Sequence, residues 1–207
     1  TLTYREVDAL AGKFAAALAG LGLKKGSRLA LNLPNSPQFV FCYLGALRAG
    51  CTVVPCNPIY TERELQHQLN DSEAEIIVTL SRFYPLIRKL KEKTKLRTII
   101  STNIKEYFPG WLKPLYTLAM EKKSGDRVKI EAGDYRLPDF LKKYAAAPMP
   151  DVKVEPDFPA FIMSTGGTTG LPKGAILTHR NLIANAIAIY NWIPDMEESK
   201  EIGVALL

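Results

Sequence analysis

Apolar residues near the start of the chain recur at the spacing of an α-helix. Five of them share one face of the predicted helix: Val7, Leu10, Phe14, Leu18 and Leu21. Apolar positions three or four residues apart lie on one side of a helix. Thr3 followed by Glu6 forms a capping-box pattern at its start, and Gly22 is its expected end. The pattern therefore predicts an amphipathic helix.

Short continuous apolar runs follow, and turn-forming residues bound them. They predict strands at residues 28–33, 52–55, 75–79 and 98–101. Helical patterns separate these runs, at residues 38–49, 61–71 and 83–93. The first of these helices is apolar nearly all round, which predicts that it is buried. Strands that alternate with helices indicate a parallel α/β architecture with right-handed crossovers.

The segment from residue 103 to residue 152 breaks this alternation. Aromatic and apolar residues at 107–112 and 115–120 stand beside lysines. Two interpretations are open: a peripheral amphipathic surface that touches a membrane or an acyl substrate, and a helical insertion packed on the sheet with its lysines in solvent. A helix is predicted at 137–146 and a linker at 148–159.

Residues 164–174, STGGTTGLPKG, form the most distinctive polar stretch of the chain. Its eleven residues include four glycines, four hydroxyl side chains and one lysine. Apolar runs at 161–163 and 175–177 flank it, which predicts a loop between two strands. Glycines let backbone N–H groups approach an anion, hydroxyl groups donate hydrogen bonds, and lysine adds a mobile positive charge. We expect a polyphosphate-binding loop, and the alternative is a glycine-rich turn that binds nothing.

The order of residues in this loop excludes two common nucleotide-binding patterns. A Walker loop needs a lysine followed by Ser or Thr at the start of a helix, whereas Lys173 lies between Pro172 and Gly174. Because Pro172 favours extended backbone in the residue before it, the chain is expected to continue as a strand. The glycine spacing of dinucleotide-binding proteins is absent as well.

A further helix is predicted after that strand, with Thr178 as its N-cap and Trp192 near its end. His179 and Arg180 would lie in its first turn, where a cation opposes the helix dipole. Either residue could have a role that compensates for this cost, or could tether the turn to neighbouring loops. His67 stands among polar residues and is interpreted as a surface or structural histidine.

The sequence TGGTTGLPKG followed by AILTHRNLIAN resembles the phosphate-binding signature of the adenylate-forming superfamily. That superfamily contains acyl-CoA synthetases, related CoA ligases, luciferases and the adenylation domains of peptide synthetases. The resemblance is nearly unbroken over residues 161–185. It extends to two segments earlier in the chain, LPNSPQFVFCYLGALRAG and EIIVTLS. It covers most of the chain and is weakest between residues 102 and 151. The doubled glycine and doubled threonine resemble fatty acyl-CoA synthetases most.

The resemblance implies a fold and a division of the chain. The fold is an α/β domain with a mainly parallel sheet flanked by helices, part of the large N-terminal domain of the superfamily. The expected regions are an α/β region at 1–102, a basic, aromatic insertion and linker at 103–156, and a strand, loop, strand and helix at 157–207 with the start of a further strand. Later motifs of the superfamily are not found, so we expect an N-terminal fragment that is inactive alone.

The resemblance also implies an ATP-dependent fatty acid–CoA ligase. A carboxylate attacks the α-phosphorus of ATP to give an acyl-adenylate and pyrophosphate, and the thiol of CoA then displaces AMP. The implied ligands are ATP with Mg²⁺, a carboxylic acid and CoA. Lys173 is the implied catalytic residue, and no metal-ligating residue is implied. The implied phosphate-binding residues are Thr165, Gly166, Gly167, Thr168, Thr169, Gly170, Lys173 and Gly174.

Charge and cysteine content indicate which ligands or surfaces such an enzyme would meet and in which compartment it would work. The net charge is +6, and residues 82–143 alone carry 16 Lys and Arg against 7 Asp and Glu. This excess could face an anionic membrane, an acidic ligand such as CoA, or solvent. Cys42, Cys51 and Cys56 lie in apolar surroundings, which predicts buried reduced thiols and fits a cytoplasmic protein. No apolar run is long enough to span a bilayer.

Several alternatives to the fatty acid–CoA ligase stay open. They are a ligase for aryl acids, a ligase that makes acyl-AMP for a carrier protein, a membrane-associated binding module, and a nucleotide-binding domain without chemistry. Peripheral membrane contact and a homodimer are also left open. Nucleic acid is not expected as a partner, because no recognised binding motif accompanies the basic charge.

Overall fold

A seven-stranded sheet forms the centre of the protein in a computed structural model that describes residues 2–165 and 172–193. The strands are β1 (Arg28–Asn32), β2 (Thr52–Pro55), β3 (Ile76–Leu80), β4 (Thr98–Thr102), β5 (Tyr135–Arg136), β6 (Pro159–Ser164) and β7 (Gly174–Thr178). Their order across the sheet is β5-β4-β3-β1-β2-β6-β7. Neighbouring strands are parallel, except that β6 and β7 form an antiparallel pair. The mainly parallel α/β fold predicted from the sequence is confirmed.

Helices cover both faces of this sheet. They are α1 (Tyr4–Gly20), α2 (Pro37–Arg48), α3 (Glu62–Ser72), α4 (Tyr84–Lys91), α5 (Leu112–Ala119), α6 (Leu137–Lys143) and α7 (His179–Trp192). The predicted capping box of Thr3 and Glu6 is present at the start of α1, and a second one, of Thr61 and Glu64, begins α3. Local capping chemistry thus sets where these two helices begin.

Two hydrophobic cores lie on opposite faces of the sheet. The first joins α1, α2 and α6 through buried aromatic residues that include Phe14, Phe41 and Phe140. The second joins α3 and α4 to the other face. Strand β1 contributes to both, with Leu29 directed into the first core and Ala30 into the second. Burial on both faces is the reason that the strands read as continuous apolar runs.

Helix α2 is buried along one face rather than all round. Phe41, Cys42 and Ala46 are fully buried against the first core, whereas Val40 is 42% exposed and Arg48 lies at the surface, where it pairs with Asp8 of α1. The sequence predicted a buried helix from its composition, and this is right for the inner face only. Apolar side chains on the outer face are half-buried and pack against the edge of the core.

Ion pairs anchor the segment that precedes β6 to the rest of the fold. Arg82 makes two hydrogen bonds to the buried carboxylate of Asp126, of 2.9 and 3.1 Å. Lys91 Nζ lies 2.7 Å from Oδ1 of Asp134, whose side chain is fully buried. Part of the basic excess therefore neutralises buried carboxylates, which would be costly to leave unpaired.

The same segment adds strand β5 to the sheet edge, where Tyr135 pairs with Ile100 of β4. Helix α5, in contrast, has no buried residue. The segment therefore contains a part packed on the sheet and an exposed helix, and contact of this helix with a membrane or an acyl substrate stays a prediction. The division of the chain at residues 102 and 156 stays a prediction.

The three cysteines are buried and carry free thiols, as the sequence predicts. Burial raises the pKa of the Cys51 thiol and of the Cys56 thiol to about 12 in each case. It raises the pKa of the Cys42 thiol as well. All three thiols are therefore protonated near neutral pH, and they behave as small apolar side chains of the core.

Candidate functional site

The stem of the glycine-rich loop stands at the carboxyl edge of the parallel strands. Strand β6 ends at Ser164, and β7 begins at Gly174. Because β6 is parallel to β2 and β2 to β1, all three strands end at the same edge of the sheet. Open α/β sheets bind ligands at this edge. The prediction that the chain continues as a strand after Pro172 is confirmed.

Hydrogen bonds hold the two ends of the loop together. The backbone N–H of Thr165 donates to the carbonyl of Lys173 at 2.9 Å, and the Thr165 hydroxyl donates to the same oxygen at 3.0 Å. Ser164 and Gly174 are paired just inside this contact. Both donors of Thr165 are thus directed at Lys173, whose own side chain is exposed. The roles of Thr165 and Lys173 in phosphate binding stay predictions.

Residues 166–171 and 194–207 lie outside the described residues. The predicted phosphate contacts of Gly166, Gly167, Thr168, Thr169 and Gly170 therefore stay predictions. So does the further strand expected in the last residues of the sequence.

Gly174 is required for space rather than for backbone freedom. A Cβ atom at this position would lie 2.8 Å from Cγ2 of Ile162 and 3.2 Å from Oδ2 of Asp71. The first distance is shorter than real Cβ contacts, so a side chain here would force the Ile162 side chain to shift. The absence of a side chain at Gly174 lets the base of the loop stem pack directly against α3.

We expect the Gly174→Ala variant to lose about 1–3 kcal/mol of unfolding free energy, since overpacking forces such shifts. Urea unfolding followed by circular dichroism measures this loss. The matched control is Gly110→Ala, because a Cβ at Gly110 would meet no atom within 4 Å. That control should stay within about 0.5 kcal/mol of the wild type. Equal stability of the two variants would contradict the packing explanation.

A small cavity of about 100 Å³ lies between α3 and the loop stem. Helix α3 contributes Glu64, His67, Gln68 and Asp71 to its wall. Nε2 of His67 lies 3.2 Å from the carbonyl oxygen of Pro172. The cavity therefore lies between a helix of the second core and Pro172, the residue that precedes Lys173.

A larger apolar cleft of about 610 Å³ opens at the same edge of the sheet. Its walls come from the residues that follow β1 and β2 and from the end of β6. They include Leu33, Phe39, Cys56, Tyr60, Met163 and Ser164. The sequence analysis did not predict this cleft, since residues distant in the chain form it. An apolar cleft beside a polar loop is the usual form of a small-molecule site.

Comparison with known proteins identifies the family of this chain. The model of the AMP-binding enzyme family matches residues 1–205. The chain belongs to the AMP-binding enzyme family. The resemblance to adenylate-forming enzymes, first found in the loop sequence, is thereby confirmed.

Individual members of the AMP-binding enzyme family agree with this assignment. The long-chain-fatty-acid–CoA ligase of Bacillus subtilis (strain 168) is 37% identical over 201 residues, which are 97% of this chain and 36% of that protein. A long-chain-fatty-acid-CoA ligase from Archaeoglobus fulgidus matches with a TM-score of 0.68 at 30% identity, over 91% of this chain and 32% of that one. ATP-bound MatB from Rhodopseudomonas palustris matches with a TM-score of 0.68 at 27% identity, over 92% and 32%. The chain thus spans about a third of the length of these relatives.

In this member of the AMP-binding enzyme family, hydrogen bonds tether the start of α7 to the linker before β6. Arg180 makes two hydrogen bonds to the carboxylate of Asp157, of 2.7 and 3.0 Å. Burial lowers the pKa of His179, which favours its neutral form and avoids a second cation at the helix N-terminus. The tethering alternative is therefore confirmed for Arg180.

His67 and Asp71 line the cavity beside the loop stem, and sequence reasoning did not place either of them there. Glu64, His67 and Asp71 stand at the spacing of one helix face, which the sequence could have revealed. Nothing in the sequence indicates that this face lies against the loop stem, because the contact joins residues 105 positions apart. His67 was interpreted as a surface or structural histidine; it is half-buried and contacts the loop stem.

Proposed function

We propose that the protein is an ATP-dependent fatty acid–CoA ligase. The observation that carries this proposal is the loop stem with Lys173 at the carboxyl edge of the sheet, in a chain 37% identical to a long-chain-fatty-acid–CoA ligase. A structural relative binds ATP on a similar fold. The substrates would be a fatty acid, ATP and CoA.

In the first half-reaction, negative charge shifts onto the departing pyrophosphate. Catalysis of such a step is mostly positioning and electrostatic stabilisation. Lys173 would pair with the outer phosphates, and the backbone N–H groups of residues 166–170 and the hydroxyls of Thr168 and Thr169 would donate hydrogen bonds to them. Mg²⁺ would enter with the phosphates, as it commonly does in enzymes that use ATP. The residues of the stem would hold these donors in place.

The test is ATP–pyrophosphate exchange by the full-length gene product. We expect exchange that depends on palmitate, followed by palmitoyl-CoA formation when CoA is added. Exchange with benzoate or coumarate in place of palmitate would favour the aryl-acid ligase. Exchange without any CoA ester would favour a ligase that serves a carrier protein. ATP binding without exchange would contradict the ligase and favour the nucleotide-binding domain.

Peripheral membrane contact is a second candidate property, and the exposed side of α5 favours it. Trp111 is 70% exposed, Leu115 55% and Leu118 86%, and Lys113 stands beside them. Apolar side chains bordered by lysines suit the interface of an anionic bilayer. No helix within the described ranges is long and apolar enough to cross a membrane. Homodimer formation stays a prediction.

We expect co-sedimentation with phosphatidylglycerol vesicles that weakens at high salt, since salt screens the attraction of lysines to anionic lipid. Changing both Trp111 and Leu118 to alanine should remove most of this binding. Tyr4→Ala is the control, because Tyr4 is 93% exposed and lies on α1. Equal binding by the double variant and the control would exclude this surface.

A further inference from the structure

Helix α3 is fixed to the sheet at two points. Nε2 of Gln68 donates a hydrogen bond of 2.9 Å to the carbonyl of Pro55, at the end of β2. Nη1 of Arg28, at the start of β1, donates one of 2.8 Å to the carbonyl of Ser72. The apolar face of α3 is buried in the second core. A residue on the opposite side of this helix is therefore held at a defined position relative to the strand ends.

His67 uses that position to contact the end of the loop. The carbonyl of Pro172 can only accept a hydrogen bond, so Nε2 of His67 carries the proton and donates it across 3.2 Å. Proline has no backbone N–H, so this carbonyl is the only backbone group of Pro172 that can be held by a hydrogen bond. The peptide bond from Pro172 to Lys173 is planar. The contact thus orients the backbone from which the Lys173 side chain starts.

A second contact fixes the next carbonyl from the other side. The carbonyl of Lys173 accepts both hydrogen bonds of Thr165. Consecutive carbonyls before and after the Lys173 Cα are therefore held, one by α3 and one by the end of β6. Together the two contacts restrict the direction in which the Lys173 side chain can project from the stem.

The cavity beside His67 does not suit a phosphate group itself. Glu64 and Asp71 line it together with His67, and their carboxylates would repel an anion. His67 must therefore act through the loop rather than by touching the ligand. We propose that His67 is a positioning residue that holds the Pro172–Lys173 peptide in the orientation for ATP binding. This role rests on the proposed function.

The proposal is tested by MgATP binding to the full-length gene product, measured by titration calorimetry, together with the KM for ATP in pyrophosphate exchange. His67→Ala should weaken MgATP binding about three- to tenfold, as expected for the loss of one neutral hydrogen bond. It should raise the KM for ATP by a similar factor and change kcat less. His67→Gln can place an N–H near the position of Nε2, so it should restore binding to within about twofold of the wild type.

Arg63→Ala is the matched control, since Arg63 is an exposed residue of the same helix. This variant should bind MgATP as the wild type does. Thermal unfolding of each variant separates a loss of fold from a loss of positioning. Wild-type-like binding by His67→Ala would overturn the inference, and so would His67→Gln if it bound as weakly as the alanine variant. Failure of the wild-type protein to bind MgATP would instead overturn the proposed function.

Discussion

Replacing Lys173 by alanine is expected to slow ATP–pyrophosphate exchange by the full-length gene product at least tenfold. Lys173 is exposed at the end of the loop stem, and its carbonyl is held by Thr165. A hydrogen bond to a charged group contributes about 1.5–3 kcal/mol, and about 1.4 kcal/mol corresponds to a factor of ten in rate. The Lys173 side chain is exposed, so thermal stability should be unchanged.

The controls for this variant separate charge from position. Lys13→Ala removes another exposed lysine, on α1 and away from the loop, and should leave the exchange rate unchanged. Lys173→Arg keeps the charge but changes the geometry of its donors, so it should recover part of the rate. An unchanged exchange rate in Lys173→Ala would contradict the phosphate-binding role of this residue.

Local patterns were sufficient to predict most of the sheet and its helices. Strands β1 to β4 and helices α1 to α4 begin within two residues of the predicted positions, because each has its own apolar run or capping box. Strand β5 was missed, since Tyr135 and Arg136 form no apolar run and join the sheet through their backbone. The antiparallel pairing of β6 with β7 was also not predicted, although the loop between two strands was.

The candidate site was also predicted only in part. The loop sequence indicated phosphate chemistry because glycines, hydroxyls and a lysine are informative wherever they stand together. The support of the loop by α3 could not be predicted, because His67 and Pro172 meet only after the sheet has brought α3 beside the hairpin. Gly174 was expected to serve the ligand as a loop glycine, and the structure shows that it also leaves room for Ile162 and Asp71.

Gly45→Ala is expected to destabilise the protein by about 2–3 kcal/mol, because it overpacks the contact between α1 and α2. A Cβ at Gly45 would lie 2.5 Å from the backbone oxygen of Ala11 and 3.1 Å from two atoms of Phe14. A backbone atom cannot move away unless α1 shifts as a whole, and Phe14 is fully buried in the first core. The better helix propensity of alanine, worth about 1 kcal/mol, offsets only part of this cost.

Gly12→Ala makes the same chemical change within the same helix pair and should have the opposite effect. A Cβ at Gly12 would be 3.8 Å from Sδ of Met149 and 3.9 Å from Nη1 of Arg48, which are ordinary contacts. Replacing a glycine inside a helix by alanine then stabilises by about 0.5–1 kcal/mol. Urea unfolding of both variants measures the difference. Stabilisation of both variants would contradict the overpacking explanation at Gly45, because helix propensity alone would then account for the result.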